Sequence, residues 1–228
     1  MPIALQPRVL AMSDQVGLHQ HFQYASPRHQ ADTAVSGMWL FLATEVLFFG
    51  GLVLAWMVCR HWQQAGFDAG ARETVLVIGT VNLFLLLTSS LVYSSGLIFI
   101  EMDQPRRLLQ CCVITACIGV TFLVLKIIEW IIDIHNHLFP SMTDFKITGP
   151  DASGARLFWS FYFVATGLHA LHLVVGIVAV CWIAAQARAG RFSARWNTPV
   201  EVVGLYWSFV DIVWIVLFPL IYLIGRVT

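Results

Sequence analysis

Charge is what this chain lacks. Of its 228 residues only 11% are Asp, Glu, Lys or Arg, 58% are hydrophobic, and the formal net charge is zero. A soluble domain carries about a quarter charged residues, so a single water-solvated core is excluded. The zero balance offers nothing for a nucleic-acid or acidic partner to bind. The five cysteines, Cys59, Cys111, Cys112, Cys117 and Cys181, lie in or beside apolar blocks and form no C-x-x-C pair. A disulfide framework is therefore not expected, and they read as small apolar core residues. A P-loop, a dinucleotide fingerprint and an H-E-x-x-H motif are all missing, and with them goes any direct sign of nucleotide or zinc chemistry. Neither an internal repeat nor a low-complexity tract occurs. Residues 1–35 are polar and hold no compact apolar run before a cleavage site, so no cleavable signal peptide is expected. Its histidines at 19, 21 and 29 read as part of a polar tail rather than a metal-binding tract.

What the chain has is long apolar runs. Crossing a hydrocarbon core of about 30 Å takes roughly 20 residues, and five blocks qualify, at about 36–59, 74–99, 108–132, 157–186 and 201–225. Each is too continuous for a lipid-facing barrel strand, and a helix satisfies its own backbone hydrogen bonds. The expected fold is an all-α membrane protein: a polar tail at 1–35, then a domain at 36–228 of five transmembrane helices. Polar breaks at 60–73, 101–107, 133–156 and 187–199 separate them, and Pro105, Pro140, Pro150 and Pro199 fall there. One side collects Arg8, Arg28, Arg106, Arg107, Arg188, Arg191 and Arg195; the other collects Arg60, Arg72, Lys146, Arg156 and Arg226. Positive charge favours the cytoplasm, which predicts an N-terminus inside and a C-terminus outside. Trp39, Trp62, Trp130, Trp159, Trp182 and Trp196 lie near the span ends and are expected to be interfacial anchors.

Against this background the polar residues inside the spans are the candidates for function. A carboxylate at the bilayer centre costs about 2.5–3.5 kcal/mol on insertion scales, so it faces the bundle interior. At about 1.5 Å per residue, Glu45 lies about 14 Å, Asp211 about 15 Å, His172 about 21 Å and His169 about 25 Å from the inner edge. Glu45, Asp211 and His172 are thus expected to meet near mid-membrane if their helices adjoin. Two readings stay open for them, a polar clamp that fixes packing and a proton or substrate path. Lys126 and Glu129, spaced i, i+3 near the outer end of the third span, read as a local ion pair or as side chains snorkelling to the interface. Asn82, with Thr88, Ser89 and Ser90, suits close helix contact on the second span. His169 and His172, one turn apart on one helix, cannot clamp a haem between them. The carboxylates are too few for a di-iron bundle with its Glu-x-x-His motifs. The expectation is no metal, no cofactor and no redox centre in this chain.

The stretches "MWLFLATEVLFFGG" (38–51), "TVNLFLLLTSS" (80–90), "FLVLKIIEW" (122–130), "FYFVATGLHALHLVVG" (161–176) and "TPVEVVGLYWSFVDIVWIVLFPLIYL" (198–223) carry a resemblance across all five spans. Together they resemble subunit III of the haem–copper respiratory oxidases, over roughly residues 33–226, in its five-span bacterial form lacking the first two helices. The resemblance implies a multi-pass subunit of the bacterial cytoplasmic membrane that binds no haem or copper itself. It implies packing against subunit I, which holds those cofactors, with subunit II in the same complex and a respiratory supercomplex as a further setting. It also implies support of proton uptake and of activity through turnover, and phospholipid held in a cleft between helices. By position, Glu45 matches the family's buried glutamate, and His169, His172 and Asp211 fall on its later motifs. One departure stands out: Ser208 occupies a place where the family usually has histidine, so a titratable group is lost. The electron donor, cytochrome c or quinol, stays open, as does an accessory role in a nitric oxide reductase. From another class, a small transporter using Glu45 and Asp211 as an ion path is disfavoured by the missing inverted repeat.

Overall fold

In a computed structural model, residues 27–194 and 196–227 are described. The expected tail up to residue 26, with its histidines at 19 and 21, and Arg195 of the fourth break lie outside them. Periodicity explains the architecture. The buried residues of α3 (Leu76–Glu101) are Gly79, Asn82, Leu86, Ser89, Tyr93, Gly96 and Ile100. Those of α4 (Pro105–His135) include Leu108, Cys112, Thr115, Gly119, Phe122, Lys126, Glu129 and Asp133. Both series advance by alternating steps of three and four, the 3.5-residue repeat that keeps one seam facing a neighbouring helix. On α5 (Ala152–Arg188) the steps from Tyr162 through Thr166, His169, Leu173, Gly176, Val180 and Ile183 continue the pattern. These seams close a ring in which α4 lies between α3 and α5, and α6 (Thr198–Phe218) packs on α3 and α5 from the opposite side.

Small residues set how closely the helices approach. A Cβ added at Gly96 would meet Cys111 Cβ at 2.9 Å, one at Gly119 would meet Trp207 at 3.0 Å, and one at Gly79 would meet the Tyr222 ring at 2.7 Å. Seams of this kind are how membrane helices pack without a hydrophobic effect between them. The α3–α4 turn passes through Asp103 at φ 60°, a left-handed position that Asp tolerates, and Pro105 then starts α4 at its first turn. The helix of α6 widens into a π-helical turn at Pro219–Leu223 before a last short helix, α7 (Ile224–Val227). Proline has no N–H to give and its ring crowds the carbonyl four residues back, which accounts for the widening.

The helix α1 (Pro27–Trp62) stands apart, laid along the outside of α5 and α6. It begins at Pro27 rather than near residue 36. The first polar break contains a helix, α2 (Gln64–Arg72), whose Gly66 packs backbone to backbone against Gly154 of α5. Five helices, His29–Trp62, Leu76–Glu101, Pro105–His135, Ala152–Arg188 and Thr198–Arg226, are long and apolar enough to cross a membrane. Among the described residues no strand forms, only an isolated bridge between Ser193 and Trp196. Trp39, Trp62 and Trp182 are exposed as anchors should be, but Trp159 is wholly buried against Tyr162 and Phe158. Trp159 sits on the α5 seam, and that phase overrides its nearness to the span end.

Candidate functional site

Two polar centres occupy the bundle. The larger is built on α4, where Lys126, Glu129 and Asp133 fall on consecutive positions of the buried seam. Lys126 is 1% exposed and both carboxylates are 0% exposed. An ammonium has three protons to give, and each finds an acceptor: Glu129 Oε2 at 3.0 Å, Tyr162 Oη at 3.1 Å and Tyr222 Oη at 2.9 Å. The two phenols pass their own protons on. Tyr162 donates to Asp133 Oδ2 at 2.7 Å, and Tyr222 donates to Glu129 Oε1 at 2.7 Å. Lys126 Nζ also lies 4.5 Å from the Tyr162 ring centroid and 5.4 Å from that of Trp214, a cation–π arrangement that strengthens out of water.

This centre corrects one expectation and extends another. The ion pair between Lys126 and Glu129 forms, but neither side chain snorkels. Lys126 lies nine residues before the end of α4 at His135, about 14 Å along the axis, and its stem points across the bundle rather than towards the interface. The sequence places Asp133 in the polar break that follows the apolar block ending at 132. The helix runs on to His135, and Asp133 continues the series 126, 129, 133 on the same face. That i, i+3, i+7 spacing was the available signal. Nothing in the sequence points to Tyr162 and Tyr222 as partners, since they arrive from α5 and from the π-helical turn.

The second centre lies near the middle of α1 and of α5, where the two helices cross. Glu45 Oε2 is 3.1 Å from His172 Nε2, and His172 Nδ1 is 2.8 Å from the Leu168 carbonyl. Tyr206 of α6 donates to the His172 carbonyl at 3.0 Å, and the Phe49 ring packs edge-on to the imidazole at 5.2 Å. The expected meeting of Glu45 and His172 therefore occurs; that of Asp211 does not. Asp211 is one position back from Ile212, which lines the α1 side of α6, so it is turned about 100° away. It is 3% exposed and faces α3, with Ser90 as its polar neighbour.

His169 and His172 part company. The ring of His169 is buried between Phe122 and Trp214, at 5.5 Å and 4.9 Å, and neither nitrogen has a hydrogen-bond partner. Asn82 is equally buried and its amide is likewise unpartnered. Ser89, another of the residues expected to serve close helix contact on α3, is buried on the same seam, and its hydroxyl accepts from Trp207 Nε1 at 3.1 Å. Thr88 is exposed and bonds back to the Phe84 carbonyl. Among the described residues no three His, Cys, Asp or Glu side chains converge as a metal site. All five cysteines are free.

Two apolar grooves flank α1. One, of about 400 Å³, runs between α1 and α6 past Leu42, Val46, Phe49, Ser208 and Val213. The other, of about 370 Å³, opens on the opposite side past Phe41, His172, Val175 and Tyr206. The Glu45–His172 contact thus stands in the wall between them. Ser208 lines the first groove and presents a hydroxyl to it.

Comparison with known proteins agrees over nearly the whole length. Residues 20–226 match the family described as cytochrome c oxidase subunit III. Cytochrome c oxidase subunit 3 of Thermostichus vulcanus is 31% identical over 196 residues, which cover 86% of this chain and 89% of that one. Probable quinol oxidase subunit 3 of Staphylococcus aureus is 27% identical over 209 residues, 89% of this chain and 94% of that one. Heme-copper oxidase subunit I+III of Aeropyrum pernix is 27% identical over 199 residues, 85% of this chain but 23% of that longer polypeptide. With five membrane-spanning helices carrying these motifs in order, the chain belongs to the cytochrome c oxidase subunit III family and is a multi-pass membrane subunit of a haem–copper oxidase.

Proposed function

We propose that this chain is the non-catalytic third subunit of a proton-pumping terminal oxidase in a bacterial cytoplasmic membrane, with its N-terminus inside and C-terminus outside. It packs directly on subunit I, which carries the haem and copper, within a complex that includes subunit II. Its work is to keep subunit I active through turnover, to support proton uptake and to hold phospholipid. The observation that carries this reading is the joining of subunits I and III in one polypeptide in the Aeropyrum pernix relative, since fusion suits parts that adjoin. The chain's own side chains fit haem or copper poorly: His169 is enclosed by Phe122 and Trp214, and both nitrogens of His172 are already engaged. The groove between α1 and α6 suits an acyl chain. It runs from Trp39 to Val53, about 21 Å along the helix, and its lining is almost wholly apolar.

Deleting the chain from the complex tests the reading. The expected result is an oxidase with an unchanged haem spectrum whose activity decays faster during turnover. A complex that turns over as durably without it, or a purified lone chain that consumes oxygen, refutes it. A quinol donor is the second reading, favoured by the relative named as a quinol oxidase subunit. Assaying the intact complex with reduced cytochrome c and with quinol separates the two donors.

A further inference from the structure

We propose that Glu45 and His172 form a one-proton site at mid-membrane, a single hydrogen held between Glu45 Oε2 and His172 Nε2, and that this hydrogen fastens α1 to the rest of the bundle. The inference goes beyond the subunit III reading and does not depend on which donor the complex uses. It starts from the Leu168 carbonyl, 2.8 Å from His172 Nδ1. A carbonyl only accepts, so Nδ1 carries a hydrogen and the tautomer is fixed. The second contact, Nε2 to Oε2 at 3.1 Å, is a hydrogen bond only with one hydrogen between the two atoms. With none, two lone pairs face each other and a net negative charge sits in an apolar wall. With two, an N–H and an O–H point at each other and the net charge is positive. Either alternative strands charge where hydration is poor. With one, the pair is neutral overall, whichever atom holds the hydrogen.

The surroundings hold the pair in place. Phe49 packs on the imidazole, and Tyr206 anchors the His172 backbone. The titratable groups within electrostatic reach are Tyr206 on α6 and His169 on α5. Neither bonds the side chain of Glu45 or His172; Tyr206 reaches only the His172 carbonyl. Within residues 31–59 of α1, among the described residues, this is the side-chain hydrogen bond that reaches another helix; Thr44 bonds only its own helix, at the Phe41 carbonyl. The bond also stands between the two grooves, so whatever fills them abuts a neutral pair rather than an ion.

Isotope-edited infrared spectroscopy on the intact complex, with labelled glutamate and histidine, tests the proton count, and Glu45→Gln assigns the Glu45 band. The expected result, over the pH range in which the complex stays assembled, is a protonated Glu45 with neutral His172 or a carboxylate with imidazolium. Carboxylate with neutral imidazole, or protonated acid with imidazolium, overturns the proposal. Hydrogen exchange of the α1 amides in the complex tests the fastening. Glu45→Gln keeps a donor for Nε2 and should exchange like the parent. Glu45→Leu leaves His172 Nε2 unpaired and should open α1 roughly tenfold more often. Parent-like exchange in Glu45→Leu, or Gln and Leu variants that open equally fast, also overturns it.

Discussion

Replacing Lys126 by methionine removes the one cation of the α4 cluster and leaves Glu129 and Asp133 buried at 0% exposure. The magnitude follows from what each bond is worth. The two bonds from Lys126 to Tyr162 and Tyr222 join helices inside a membrane, where such bonds average about 0.6 kcal/mol. Together they account for about 1 kcal/mol. Stranding a buried charge costs about 3–5 kcal/mol, so the electrostatic loss dominates. Lys126→Met is expected to destabilise the fold by that amount, which raises the unfolded fraction by roughly two to four powers of ten. A second variant isolates the cause. Lys126→Met with Glu129→Leu replaces the pair by apolar side chains of similar bulk, and such swaps are often neutral or stabilising. The double variant should therefore recover at least half of the loss, with Asp133 still bonded by Tyr162. Equilibrium unfolding in mixed micelles measures both, and Trp214, 5.4 Å from Lys126 Nζ, supplies a fluorescent reporter. A single variant within about 0.5 kcal/mol of the parent, or a double variant no more stable than the single, would refute the reasoning.

Two further outcomes test the packing. Gly66→Ala places a Cβ 2.5 Å from Gly154 Cα, where backbone meets backbone and nothing can rotate away; hydrogen exchange over residues 64–72 should accelerate while that of α3 and α4 is unchanged. Cys117 and Cys181 are exposed on the helix perimeter and Cys112 is buried, so an apolar maleimide should label the first two in detergent and spare Cys112. Repeating the labelling on the intact complex then shows which of α4 and α5 faces a neighbouring subunit, by which thiol becomes protected.

Depth along a helix was legible in the sequence; direction around it was legible only where a long seam fixes the phase. Counting residues at a fixed rise put Glu45 and His172 within about 7 Å of each other in depth, and they touch. The same count put Asp211 beside them, yet it faces α3, because height says nothing of azimuth. Lys126 was misplaced for the opposite reason. Its nearness to the span end suggested the interface, whereas its phase with Gly119, Phe122, Glu129 and Asp133 put it on the buried seam. Tyr222 was beyond reach. A straight α-helix through Pro219 would aim it elsewhere, and the π-helical turn delivers its hydroxyl to Glu129. The helix at 64–72 was hidden by its glycines, poor helix formers that here permit the contact with Gly154.

The inward consumption of polarity decides what kind of surface the chain offers its neighbours. The ionisable side chains at mid-membrane and in the α4 cluster face other helices of the same chain. Four exposed hydroxyls on the helix perimeters turn back on their own backbones: Thr44 to Phe41, Thr88 to Phe84, Ser95 to Leu91 and Thr121 to Cys117. A helix face that has satisfied its donors internally has none left to bond across an interface. Association with subunit I at membrane depth must then rest on shape and close packing, the terms that drive helix association in lipid, while specificity from charge is confined to the loops. It follows that substitutions which enlarge the perimeter of the contacting helix should loosen the complex far more than removing any one perimeter hydroxyl, and co-purification of subunit I with each class of variant would show it. Equal losses from Thr88→Val and from a bulky replacement on the protected face would mean that a perimeter hydroxyl does reach across, against the bonding seen here.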